Sequence, residues 1–454
     1  MATIAFMLDH EEGHLLPTFK LARQLRARGH NVYYLGLADG GDFVRRQGFD
    51  FIPVLEHVFP KGTMRTLRDF WWTASANGNG GNGANGNGKP EAREWYQQDG
   101  DEGEIVLYER YLGALVRGES LDGVIRTLQP DLLILNTFLA ANALVLHYRY
   151  RIPIVVLTPY LRPMTKAQHA AGIEGALLRL RSGADDFFTL VRRADPTARR
   201  FSDLSAHFLR MPELILCPQD LELPKPGQPR EQEVYYGEAS VDLDRKDERE
   251  FPWDQVNPAK RLLFCSLGSQ SFIGGKDVVS GFLRAVTEAM AAHPDWQLIL
   301  STGGLLQPED FPVRPADAIL SPWVPQLQVL ERAAVMITHG GLGTLKECIF
   351  RGVPVVVFPI SRDQPDNAQR VVHHRLGLSG DLANYSPQGI FSLVQQVADN
   401  PEFRQNMERM RGRFLEVEEA GVGVKVIEDT LRRHGRLTPV AAASSTAGSE
   451  VRSF

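Results

Sequence analysis

Residues Trp323 to Gln364 read WVPQLQVLERAAVMITHGGLGTLKECIFRGVPVVVFPISRDQ. The apolar run Val335-Met336-Ile337 has the character of a buried strand. It enters His339-Gly340-Gly341-Leu342-Gly343-Thr344, and a helical pattern follows through Leu345, Glu347, Cys348 and Ile349. A second apolar strand then ends in a polar loop at Asp363-Gln364. Small residues at a strand-to-helix turn let backbone amides approach an anion closely, and a helix N-terminus favours negative charge there. The stretch therefore reads as an anion-binding turn in a parallel α/β sheet.

Working outward, the same alternation surrounds it. Upstream lie RLLFCSLGS as strand and turn, a helix over Val278–Ala292, and the strands WQLILST and AILSPW. Downstream, helical patterns cover Asn367–Arg375, Ser386–Asp399, Glu402–Leu415 and Val422–Arg433. The first half repeats the scheme with TIAFML, a helix over His14–Arg28, NVYYLG, a short helix at Phe43–Gln47, and FDFIPV. Further strands are expected at DLLILN, IPIVVL and ELILC, the last closing this half. The order predicts two doubly wound parallel sheets, with ligands at the carboxyl ends of the strands. Between them, Pro218–Pro258 is rich in proline and charge and contains the strand-like Val234-Tyr235-Tyr236. The expected layout is a first domain over 1–217, a linker over 218–258 and a second domain over 259–400. Closing helices over 401–435 and a disordered tail over 436–454 complete it. Residues Thr73–Pro90 are nearly pure Asn and Gly and read as a flexible insertion. Phe70, Trp71, Trp72, Trp95 and Tyr96 beside it fit either anchors to the core or the ends of an apolar lid.

With 454 residues, the chain exceeds what one hydrophobic core usually organises. A net charge of −5 provides no basic excess for binding nucleic acid non-specifically. Cys217, Cys265 and Cys348 lie far apart without metal-ligand spacing, which predicts a reducing, cytoplasmic setting. The opening apolar run, Thr3 to Leu8, is too short for a signal peptide, and no run reaches the ~20 residues of a membrane span. Peripheral contact with a membrane, to reach a lipid acceptor, stays open.

Two motifs carry a resemblance. The first is W-x-P-Q, then H-x-G-x-x-[ST]-x-x-E, then G-V-P and D-Q. It is matched by Trp323, Pro325 and Gln326; His339, Gly341, Thr344 and Glu347; Gly352-Val353-Pro354; and Asp363-Gln364. The second is G-H-x-x-P followed by a helix ending in R-G-H, matched by Gly13-His14-Leu15-Leu16-Pro17 and Arg28-Gly29-His30. With them the chain resembles the family 1 UDP-sugar glycosyltransferases of GT-B fold, the group that includes plant secondary-product and bacterial macrolide enzymes. The resemblance implies two Rossmann-like domains facing across a cleft, the first taking the acceptor and the second the nucleotide sugar. It implies that the last helices cross back onto the first domain. The implied reaction is an inverting transfer of a hexose, glucose-like, from a UDP-sugar to a hydroxyl of a small, largely apolar acceptor. No cofactor and no metal are expected, the UDP-sugar being a co-substrate.

Residue by residue, Trp323 would stack on the base, Gln326 would reach base or ribose, and Val324 lies between them in the same site. His339, the Gly341 and Gly343 amides and the Thr344 hydroxyl would hold the diphosphate, with Gly268 and Ser269 as a second small-residue turn beside it. Glu347 would accept the ribose hydroxyls, and Asp363 and Gln364 would supply acceptor and donor groups for those of the sugar. His14, after the first strand, is the candidate base. Many relatives orient that histidine with an aspartate at the end of the fourth strand; here the position is Asn136. Three consequences are open: a weaker base, a substitute carboxylate among Asp9, Glu11 and Glu12, or an already acidic acceptor. The D-x-D runs Asp99-Gly100-Asp101 and Asp242-Leu243-Asp244 lie in charged surroundings and read as solvated acidic segments. Two rival functions remain at this level: a sugar-nucleotide 2-epimerase of the same fold and a non-catalytic nucleotide-sugar-binding partner.

Overall fold

The computed structural model describes residues 1–67, 101–136, 140–162, 165–168, 170, 183–197, 201–225, 227, 230–243, 245, 250–269, 271–304 and 306–437. The Asn/Gly-rich stretch, its aromatic flanks, Asp99, Asp244 and the tail beyond 437 lie outside the described residues.

Seven strands build the first sheet: β1 (Thr3–Met7), β2 (Asn31–Gly36), β3 (Asp50–Pro53), β4 (Leu132–Asn136), β5 (Ile154–Thr158), β6 (Glu213–Ile215) and β7 (Val234–Tyr236). Their order is β3-β2-β1-β4-β5-β6-β7, with every neighbouring pair parallel. β4 and β5 are buried at every position, which is why LLILN and IVVLT are continuous rather than alternating apolar runs. The helices of this half are α1 (Glu12–Ala27), α2 (Gly41–Arg46), α3 (Asp101–Arg117) and α4 (Leu121–Leu128). They continue as α5 (Ala140–Tyr150), α6 (Gly183–Ala194) and α7 (Phe201–Arg210).

The second sheet holds β8 (Arg261–Ser266), β9 (Trp296–Ser301), β10 (Ile319–Ser321), β11 (Ala333–Thr338), β12 (Val355–Val357) and β13 (Gly377–Ser379). It is again all parallel, in the order β10-β9-β8-β11-β12-β13. Its helices are α8 (Lys276–Ala291), α9 (Gln326–Leu330), α10 (Leu342–Arg351), α11 (Gln364–His373) and α12 (Pro387–Asp399). The chain then runs through α13 (Pro401–Ala420) and α14 (Val422–Arg433).

The strand orders decide where chemistry can happen. In each sheet the winding reverses once, between β1 and β4 and between β8 and β11, and a crevice opens at the carboxyl ends of those strands. His14 follows β1 and Asn136 ends β4. Gly268 follows β8 and His339 follows β11. Both halves thus place their candidate residues at a switch point.

α14 returns to the first half. Val424, Ile427 and Leu431 are buried in one cluster with Ile4, Phe6, Phe19 and Leu25. Glu428 on the same helix accepts from Arg28 Nη2 at 2.8 Å and lies 3.4 Å from His30 Nε2. The Arg28-Gly29-His30 motif is therefore where α14 is fastened. Glu238 accepts from Gly423 N with both carboxylate oxygens, at 3.1 and 2.9 Å, and so satisfies the start of α14. A shared cluster joins the halves, with Leu161, Ile215 and Cys217 packed in one core with Phe264, Leu342 and Phe414.

Three details differ from the sequence reading. Val234–Tyr236 is not an isolated piece of connector: it pairs with β6 in the register Glu213↔Val234, so the first sheet ends there and not at ELILC. β13 and α9 are too short for their periodicity to stand out in the sequence. Asp242 is not solvated, because Arg23 of α1 forms an ion pair with it and leaves its side chain 17% exposed.

Candidate active site

The residues expected to do acid–base work come together at the first switch point. His14 lies in the first turn of α1, which has no side-chain cap at Glu11. Its Nδ1 is 2.6 Å from Asp9 Oδ2, and the Glu11 carboxylate stands 3.5 Å from the same nitrogen. Asn136 Nδ2 donates to Asp9 Oδ2 at 2.7 Å, from the end of β4. Asp9 Oδ1 accepts from the Glu11 amide at 3.0 Å. Asp9 thus receives three donors on its two oxygens, a task that only a carboxylate, an acceptor at both ends, can perform. Of the three readings the sequence left open, the geometry matches the substitute carboxylate. Asn136 keeps the place at the strand end, and its amide holds the carboxylate that orients the ring.

Charge follows from this arrangement. Burial lowers the His14 pKa, but the Asp9 charge, the Asp9 hydrogen bond and Glu11 outweigh it and raise the ring to about 9, while Arg362 opposes them. Burial raises Asp9, and the His14 charge and hydrogen bond overcome that to hold it below the usual carboxylate value. Asp9, Glu11 and His14 are also the one group among the described residues whose ligand-type atoms lie within 4.8 Å of one another. Their mutual hydrogen bond and ion pairs account for that grouping.

The residues expected to bind the diphosphate lie at the second switch point. α10 starts at Gly341 with no side-chain cap, so its first amides have no partner within the helix. The His339 ring is packed between the two small-residue turns. A Cβ on Gly268 would come within 2.4 Å of its Cε1, and one on Gly341 within 2.6 Å of its Nε2. Gly268 also has φ +74°, which a side chain disfavours. Burial pushes His339 down to about 4, so the ring is neutral. Ser269 and Gly343 are exposed beside it, and Thr344 is half-buried in the first turn of α10.

Trp323 is half-buried and Val324 buried, in the loop between β10 and α9. The Trp323 carbonyl accepts from Ser321 Oγ at 2.5 Å. Gln326 turns toward α10 and not toward open solvent: its Nε2 donates to Glu347 Oε2 at 2.6 Å and reaches Thr344 Oγ1 at 3.4 Å. It therefore aims the carboxylate and hydroxyl expected to meet ribose and phosphate. Sequence reasoning missed Arg245, whose Nη1 pairs with Glu347 Oε1 at 3.1 Å. It sits in a charged connector with nothing local to single it out. Neighbouring Lys346 is 1% exposed and donates to Leu216 O at 2.9 Å, tying α10 to the first sheet.

Asp363 stands immediately before α11, its carboxyl raised by burial and drawn back by Asn367 and by the charge of His14. That coupling, with the 3.9 Å approach of Arg362 Nη1 to Glu11 Oε1, brings the Asp363 loop and the histidine of the other half together. Gln364 keeps only the donor half of its amide for the expected role. Its Oε1 accepts from the Ile360 and Ser361 amides at 2.8 and 3.0 Å, so its carbonyl holds the loop and only its amide nitrogen is suited to a sugar.

Residues 218–413 match the family model for UDP-glucoronosyl and UDP-glucosyl transferase. Demethyllactenocin mycarosyltransferase of Streptomyces fradiae is 26% identical over 461 residues, covering 97% of this chain and 88% of that protein. Among solved structures, the glycotransferase of kitacinnamycin superposes with a TM-score of 0.69 at 24% identity, over 95% of this chain and 98% of that one. The glycosyltransferase VinC, solved in complex with dTDP, superposes at 0.61 with 16% identity, over 96% and 100% of the two chains. These structures have the GT-B fold, which the two parallel α/β sheets reproduce. No helix among the described residues is long and apolar enough to cross a membrane. A diphosphate-type turn at one switch point, a histidine–carboxylate pair at the other and these likenesses have one common reading: the chain is a nucleotide-sugar-dependent glycosyltransferase, related to bacterial macrolide and antibiotic glycosyltransferases and similar over residues 218–413 to the UDP-glycosyltransferases, and transfers sugars from nucleotide donors to small acceptors.

Proposed function

We propose that this enzyme is an inverting, metal-independent hexosyltransferase that uses a UDP-sugar, glucose-like, and glycosylates a hydroxyl of a small, largely apolar molecule. The observation that carries the reading is the pairing of His14 with Asp9 beside the Asp363 loop, since it sets a base next to the expected place of the sugar. Asp9 holds the Nδ1 proton, so in the neutral ring Nε2 is the basic atom. The acceptor oxygen gives its proton to Nε2 and bonds to the anomeric carbon as the bond from that carbon to the diphosphate oxygen breaks. The leaving charge falls on the α10 amides and on His339, where fixed dipoles stabilise it without a metal. Asp9 and Asn136 orient the ring and offset the imidazolium that forms.

Two oxygens on Glu347 suit the paired hydroxyls of ribose, which supports uridine over thymidine. The dTDP bound by VinC favours a thymidine donor as the second reading, and competition between UDP and dTDP decides between them. The buried, unbridged cysteines support a reducing, cytoplasmic setting.

The test is transfer from UDP-glucose to a pool of phenolic, polyketide, sterol and carotenoid acceptors, with glycosides read by mass spectrometry and anomeric configuration by NMR. A β-linked product that survives EDTA is expected. His14→Ala should abolish transfer while UDP still binds; loss of UDP binding instead would make His14 structural. Sugar change without an acceptor would favour the epimerase.

A further inference from the structure

α11 and its two caps carry a polar stripe, buried at its centre, where a helix of this kind should show carbon. Asp363, Asn367, Arg370 and His374 recur at helical spacing along one side, and Asn367 and Arg370 are 0% and 2% exposed. Asn367 Nδ2 donates at 2.9 Å to Gly340 O, in the diphosphate turn, and at 2.9 Å to Asp363 Oδ2, in the sugar loop. Its Oδ1 accepts from Arg370 Nη1 at 2.9 Å. Arg370 in turn gives Nε and Nη2 to Glu222 Oε1, at 2.9 and 2.7 Å, in the segment leaving the first half. His374 Nε2 lies 3.2 Å from Leu221 O in the same segment.

The arrangement fixes the amide's orientation. Turned the other way, Asn367 would set its oxygen against two acceptors and its NH₂ against a guanidinium. Arg370 is what forbids that turn, and Glu222 balances Arg370. Burying an ion pair and an amide here gains little over packing apolar side chains, so stability alone is a poor reason for these residue types.

We infer that Asn367 is a positioning residue for sugar transfer. By holding the Gly340 carbonyl and the Asp363 carboxylate on one amide nitrogen, it fixes the spacing between diphosphate and sugar and presents the other Asp363 oxygen to a sugar hydroxyl. Arg370 and Glu222 lock it in that orientation. The inference rests on the donor reading proposed above and adds to it the group that sets sugar selectivity.

The variant Asn367→Asp keeps the shape and the bond from Arg370 but turns an acceptor toward Gly340 O and Asp363. Three measurements on the full-length protein are compared with wild type: binding of uridine, binding of UDP, and kcat/KM for UDP-glucose and UDP-galactose. Uridine affinity should stay within about twofold, because the nucleoside part of the site is untouched. UDP should bind more weakly, and kcat/KM for the preferred donor should fall ~10- to 100-fold, the range for losing a hydrogen bond to a charged group. The ratio between the two epimeric donors should fall toward one. An unchanged ratio, or uridine binding that falls in step with transfer, overturns the inference in favour of a structural role. If Asn367→Asp does not fold, Arg370→Lys carries the test, since it keeps the charge beside Glu222 but loses the Nη1 bond to Asn367; the same loss of selectivity, smaller in size, is expected. A wild-type protein that binds no nucleotide and transfers no sugar overturns the donor reading itself, and this inference with it, before any variant is compared.

Discussion

Replacing Asp9 by Asn should displace the pH dependence of transfer by about two and a half units. In the free protein the carboxylate holds His14 at about 9, against the opposing effects of burial and Arg362. Near pH 7.5 only about 3% of such a ring is neutral, and only the neutral ring accepts a proton. Without that charge, burial acts against Glu11 alone, and the ring returns to its ordinary 6.5 or lower. The change is ~3.4 kcal/mol of imidazolium stabilisation, at about 1.36 kcal/mol per unit. The assay is kcat/KM across the neutral and alkaline range, with the His14 ring proton followed by NMR in parallel. Wild type should gain activity up to about 9. The variant should reach its plateau two to three units earlier, and that plateau should be lower, because a less basic ring with no counter-charge is a poorer base. The folded-state pKa is raised, so this pair's contribution to stability is complete below 6.5 and is lost as pH rises through about 9. The variant should lack that alkaline loss. Superimposable pH–rate profiles would refute the assignment of Asp9 and His14 as a working pair.

Further outcomes follow from other contacts. Arg245→Met should free Glu347 and tighten UDP binding by about three- to tenfold in calorimetry, the range for one ordinary net hydrogen bond; unchanged or weaker binding would mean that the guanidinium does not compete with ribose. Gly268→Ala combines a positive φ with a clash against His339, and should cost at least ~10-fold in UDP affinity; wild-type affinity would show that the ring is free to move. Glu428→Ala should lower the thermal midpoint by several degrees, since it leaves Arg28 and buried His30 without their partner. The Arg28 hydrogen bond, ahead of opposing burial and with His30, holds Glu428 below the usual 4.5. Its contribution is therefore present above 4.5 and fades as pH falls through the depressed value, so variant and wild type should converge in acid.

Much of this was legible in the chain. Buried parallel strands must be runs such as LLILN and IVVLT, and a turn that receives an anion needs His339-Gly340-Gly341 followed by a helix; both signatures are local, so the sequence displays them. The fold was accordingly legible in sequence pattern alone, as was the turn proposed to receive the diphosphate. Asp9 was one of three acidic candidates within four residues, and nothing in their spacing ranks them. Only the pairing of β1 with β4 brings Asn136 to the same oxygen that meets His14, and so selects Asp9. Arg245 and Glu347 are 102 residues apart, and Glu222 and Arg370 are 148 apart. Such contacts leave no local periodicity, because they exist only once the connector is laid against the second sheet. The same holds for Gln364, whose carbonyl serves its own loop, and for Arg28-Gly29-His30, which gains a purpose when α14 arrives. Sequence determined which chemical groups are available at the ends of the strands; the tertiary structure decided which of them meet, since hydrogen bonding and charge act over a few ångströms of space and not along the chain.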